Sequence, residues 1–71
     1  MNRKDYQVSY NDYEEIYTNL TEARKQAKKY SKKYGESSII KWVYDNYYND
    51  MVIDENFYIY YEDGLLVKNN K

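Results

Sequence analysis

The side chains with chemical reach in this 71-residue chain are almost all oxygen-bearing: twelve carboxylates, twelve tyrosine phenols, and a few serines and asparagines. Histidine and cysteine are both absent, which removes the usual base near neutral pH and the usual thiolate nucleophile. Ser9, Ser31, Ser37 and Ser38 have no base partner to activate them. Carboxylates occur in pairs, as Glu14-Glu15, Asp54-Glu55 and Glu62-Asp63. Acid–base work by such pairs needs a cleft that raises one pKa, so in a chain this short they read as solvated turn charges. Asp50, Asp54 and Glu55 offer hard oxygen ligands, but their spacing does not fit a calcium loop and no glycine sits at its sharp bend. The two glycines, Gly35 and Gly64, do not build a phosphate cradle. No catalytic set, metal or cofactor is expected, and the chain reads as one that works by binding.

Two surfaces stand out as binding candidates. Arg24, Lys25, Lys28, Lys29, Lys32 and Lys33 place six of the eleven basic residues within about three turns of one helix. They form a solvated face or, in the alternative reading, a phosphate-binding stripe. Between Glu36 and Leu66 seven acids face Lys41 alone, so the chain is strongly dipolar although its net charge is only −1. The same stretch holds most of the aromatic side chains. Tyr44, Tyr47, Tyr48, Tyr58 and Tyr60 are expected on an open sheet face or loop, ringed by Asp45, Asp50, Asp54, Glu55, Glu62 and Asp63. Tyrosines bring rigid area with a polar tip, and interfaces draw much of their energy from them. An acidic surround suits a basic partner surface. Base stacking on this sheet is not expected, because the Phe57–Tyr61 run lacks basic residues and glycines and its flanking carboxylates repel phosphate.

The elements that must carry these residues follow from periodicity. Asn19 at an N-cap with Glu22 three residues on, then Leu20, Ala23, Ala27, Tyr30 and Tyr34 along one face and Gly35 as a left-handed C-cap, predict an amphipathic helix. Tyr6–Tyr10 alternates as a strand, and Asn11-Asp12 turns it towards a second short strand at Glu14–Thr18. Ile39–Tyr44 and Phe57–Tyr61 are strong strands, and Glu62-Asp63-Gly64 is a hairpin turn into Leu65–Lys68. Met51–Ile53 either extends a hairpin or lies in a loop. In the strand at 57–61, Phe57, Ile59 and Tyr61 share one face and Tyr58 and Tyr60 the other. The expected fold is α+β: an antiparallel sheet of three to five strands with one helix packed on one face, in the order β(β)αβββ. It forms one domain over 1–71, with ends frayed near 1–4 and 69–71.

Aliphatic runs stop at three residues, and the N-terminus lacks a signal-peptide core, so a cytoplasmic location without membrane contact is expected. Asn19-Leu20-Thr21 then matches a glycosylation sequon by coincidence. A lysine-, asparagine- and tyrosine-rich usage with no proline suits an AT-rich coding sequence from a low-GC bacterium, its phage or its plasmid. In size, in lacking catalytic residues and in surface segments such as Asp45-Asn46-Tyr47-Tyr48-Asn49-Asp50, the chain resembles the small proteins that phages encode against bacterial defence, anti-CRISPR proteins among them. That resemblance implies stoichiometric inhibition of a host protein, such as a nucleic-acid-binding defence nuclease, in the host bacterial cytoplasm. The lysine-rich helix departs from the acidic-throughout surface of a nucleic-acid mimic and leaves a local acidic face. Weak or no direct nucleic-acid binding is expected. The alternatives are a nucleic-acid-binding accessory protein using the helix lysines, and a homo-oligomer, at its simplest a homodimer, that pairs an exposed strand with its copy.

Overall fold

The computed structural model describes residues 3–70. Its elements are β1 (Lys4–Tyr10), β2 (Tyr13–Tyr17), α1 (Leu20–Tyr34), β3 (Glu36–Asp45), β4 (Asp50–Ile53), β5 (Tyr58–Glu62) and β6 (Leu65–Asn70). All strand pairings are antiparallel, in the sheet order β2-β1-β3-β5-β6, with β4 also paired to β3. The class is the expected α+β, with six strands rather than three to five. The extra strand is Met51–Ile53 with Asp50. β3 is ten residues long, and one of its edges pairs with β5 at Glu36–Ile39 and with β4 at Trp42–Asp45. β4 and β5 thus follow one another along a single edge, joined by a turn at Asp54–Phe57 in which Phe57 N–H donates to the Asp54 carbonyl at 3.1 Å. No helix of the described residues is long and apolar enough to cross a membrane.

Local chemistry accounts for the boundaries. Asn19 caps α1 by accepting the Glu22 N–H at 3.1 Å. Gly35 closes the helix with φ 100° and ψ −41°, a positive-φ conformation outside the left-handed helical region expected, and one that glycine takes without strain. Asn11 and Asp12 (φ 42° and 67°) and Asp63 and Gly64 (φ 51° and 83°) form two-residue hairpin turns with positive φ at both positions, the twist that suits antiparallel strands. Within the stretches expected to fray, Lys4 lies opposite Val43, and Asn69 and Asn70 opposite Ile59 and Tyr58. Each of these residues makes ladder contacts with a strand already anchored in the sheet. Met1, Asn2 and Lys71, also expected to fray, lie outside the described residues.

Among the described residues, only one sheet face is covered. Ala23 and Ala27 let α1 approach closely, over Tyr6, Val8, Ile39, Phe57, Ile59 and Tyr61. Alternation groups Phe57, Ile59 and Tyr61, and the packing makes this the inward set of β5, so Tyr58 and Tyr60 point away from the helix. Two buried serines tie the layers: Ser37 Oγ donates to the Ala27 carbonyl at 2.5 Å, and Ser31 Oγ accepts the Gly64 N–H at 2.8 Å.

At the helix-side margin, Glu15 is not a solvated turn charge. It lies on β2 and accepts hydrogen bonds from the phenols of Tyr10 (2.6 Å), Tyr17 and Tyr30 (2.9 Å). Tyr10 stacks on Tyr30 with ring centroids 3.8 Å apart. One carboxylate thereby pins β1, β2 and α1 together. The bonds from Tyr10 and Tyr17 hold the Glu15 carboxyl below its ordinary pKa, against the opposing effect of desolvation. The Tyr10 phenol is pushed well above its ordinary value, first by its bond to Glu15, and Tyr17 likewise, first by desolvation and then by Glu15.

The signs give a pH window. A lowered carboxyl stabilises the fold above its unfolded pKa of about 4.3, and that stability is lost as pH falls through the folded value. Raised phenols stabilise fully below about pH 10, and that stability is lost as pH rises towards their folded values. Glu15→Gln is expected to lower the melting temperature at pH 7 and to flatten both the acid and the alkaline decline. Thermal melts followed by circular dichroism from pH 3 to 11 check this, and superimposable profiles would contradict the pin.

Candidate functional site

β3 runs beyond the helix. Its last residues pair with β4 in the register Trp42↔Ile53, Val43↔Val52, Tyr44↔Met51 and Asp45↔Asp50, and among the described residues β4 touches β3 but not α1. This hairpin arm fits the elongated molecule, 38 Å by 20 Å by 20 Å. At its tip the Asp45 carboxylate accepts the N–H groups of Tyr47 (2.7 Å) and Tyr48 (3.4 Å). Asn49 takes φ 54°, and the Tyr44 hydroxyl donates to its side-chain oxygen. The outcome is a braced turn that presents two tyrosines to solvent: Tyr47 is 87% and Tyr48 67% exposed. Their rings meet edge to face with centroids 5.0 Å apart.

The carboxylates near the arm serve its backbone. Asp50 Oδ1 accepts the Met51 N–H at 2.7 Å, and Asp54 Oδ1 accepts the Asn56 N–H at 3.0 Å in the turn after β4. Glu55 is exposed on that turn. Trp42 and Tyr44 share the uncovered sheet face with Met51 and Ile53, and the indole N–H of Trp42 donates to Gln7 at 2.9 Å.

The other expected site residues do not join this patch. Glu62 lies opposite Glu36 at the far end of β3, and the Asp63 N–H donates to the Gly35 carbonyl at 2.9 Å, beside the helix terminus. Tyr58 and Tyr60 lie nearer that end, on the uncovered face. The Tyr60 hydroxyl donates to Glu36 at 2.6 Å, a bond that with desolvation and the charges of Glu36 and Glu62 pushes its pKa up to about 12. The expected single ring of carboxylates is thus divided between the two ends of a strand about 33 Å long. The far end also recruits Ser9, Asp12, Glu14, Glu36 and Ser38, none of which the sequence singled out as binding residues. The seven-acid count did include Glu36, but its bond to Tyr60 spans 24 positions.

On the opposite side, Lys25, Lys28, Lys29, Lys32 and Lys33 are exposed. Arg24 is partly buried, with its Nε donating to the Tyr61 hydroxyl at 3.3 Å. Lys33 lies over the Tyr34 ring at 5.3 Å, and the Lys32 stem lies against Gly64. Among the described residues the sole salt bridge is Arg3–Asp5, so the helix lysines carry uncompensated charge. No protein family, curated protein or solved structure matches the chain.

Lysines on one short helix neutralise few phosphates. Binding to duplex DNA is expected to be no tighter than about 10⁻⁴ M at physiological salt. Fluorescence anisotropy against a salt series checks this. A sub-micromolar complex lost in the Lys25→Ala/Lys28→Ala/Lys29→Ala variant would make the helix the working surface.

Proposed function

We propose that this protein acts without catalysis, as a stoichiometric inhibitor or modulator that binds another protein, in the manner of small phage-encoded proteins directed at bacterial defence. The observation that carries the reading is the braced arm tip with Tyr47 and Tyr48 exposed beyond the helix-covered core. Monomeric folds gain little from two solvated aromatic rings, whereas a partner groove gains rigid area from them. Bracing by Asp45 and Asn49 prepays part of the ordering cost that binding imposes. Asp50 and Glu55 beside the arm set the sign of the approaching surface, which suits a basic partner.

A target inhibited in this way loses activity in proportion to added protein and saturates at a fixed molar ratio. Against a partner recovered from host lysate, Tyr47→Ala and Tyr48→Ala are each expected to cost about 2 kcal/mol or more in binding, with circular dichroism unchanged. Asp50→Lys and Glu55→Lys should slow association and alter its salt dependence more than they change dissociation. Biolayer interferometry separates the two effects. Full-affinity binding by the folded tyrosine variants would remove the arm from the interface.

A further inference from the structure

The far end of the sheet carries a groove that the arm does not reach. On the uncovered face the outermost rung of the β1–β3 ladder pairs two small residues, Ser9 and Ser38, between larger neighbours: Glu14 across β1 and Tyr60 across β3. The step in side-chain size makes a trough of about 510 Å³, walled by Tyr58 and Tyr60 on one side and by the β1–β2 turn on the other. A second concavity of about 560 Å³ shares Asn11, Asp12 and Glu36 with it and continues round the end of the sheet to Gly35, Glu62 and Asp63. Five carboxylates line the combined path, and among the described residues neither lysine nor arginine does. It ends at the helix C-terminus, whose dipole also favours positive charge.

We propose that this groove binds an extended basic polypeptide segment, with a cationic side chain seated in the Ser9–Ser38 trough against the tyrosine rings and the backbone passing Glu36 towards Gly35. This rests on the protein-binding reading above and adds the chemistry of the partner. Charge complementarity selects a cation, and the tyrosine wall selects one that is attached to a stem or plane able to lie on a ring. The molecule already shows that contact: the Lys68 ammonium lies over the Tyr58 ring, 5.8 Å from its centroid. The serine floor admits a side chain without displacing any core group.

The test uses the whole protein and a hexa-arginine peptide, with amide chemical-shift mapping by NMR and titration calorimetry. Shifts are expected at Ser9, Asp12, Glu36 and Ser38, with the arm amides unmoved. Affinity should fall about tenfold or more in Asp12→Asn/Glu36→Gln, which removes charge, and equally in Ser38→Tyr, which fills the trough with charge unchanged. Tyr47→Ala/Tyr48→Ala should bind the peptide as the parent does. Shifts centred on the arm, a tight complex insensitive to Ser38→Tyr, or no binding in low salt would each overturn the groove. A groove that fails while the arm variants still weaken partner binding leaves the arm reading standing.

Discussion

A 15-residue helix spans about 22 Å, while the ten-residue strand at the centre of the sheet spans about 33 Å. With one helix and no other covering layer among the described residues, the last third of β3 must leave the core whatever the crossing angle. The sheet responds by pairing that overhang with β4, so that its backbone hydrogen bonds are met without burial. The arm, its exposed tip and the division of the acidic residues between two ends all derive from this mismatch of lengths.

The second condition is set by tyrosine. A core this small relies on large rings, and each phenol brings a hydroxyl that needs a partner. The partners are mostly charged groups: Glu15 for Tyr10, Tyr17 and Tyr30; Glu36 for Tyr60; Arg24 for Tyr61. These carboxylates look like surface charge in the linear sequence, yet Glu15 ties the helix to the sheet and Glu36 braces Tyr60 within the sheet. Acidity and aromaticity in this chain are thus partly one structural device, and partner-binding capacity belongs to the residues it leaves over.

Legibility in the sequence tracked the range of the interactions. The helix, its Asn19 cap and the turn at Asp63-Gly64 rest on contacts within a few residues and were readable. So was the grouping of Phe57, Ile59 and Tyr61 on one face, because a strand's two faces alternate locally, but which face meets the helix is set by packing across the sheet. Met51–Ile53 stays ambiguous between strand and loop in the sequence because it takes its identity from the unoccupied edge of β3, which depends on where β5 pairs. The Glu15 pin escaped because Tyr30 reaches it from the helix, 15 positions away. Seven acids do lie between Glu36 and Leu66, yet composition carries no information about which end of a hairpin a residue occupies.

The irregularity in the β5–β6 ladder bears on a hazard that every open sheet faces. Tyr60 pairs with Lys68 but Tyr61 pairs with Leu66, so Val67 is an extra residue on the outermost strand. Leu65, Leu66 and Val67 are all exposed there, and a straight strand of that composition would template edge-to-edge stacking of one molecule on the next. The bulge interrupts the row of free donors and acceptors and sharpens the local twist. Its stagger therefore acts as a guard on colloidal behaviour. Without the extra residue the ladder would run evenly through this apolar stretch, the geometry that edge-to-edge pairing needs.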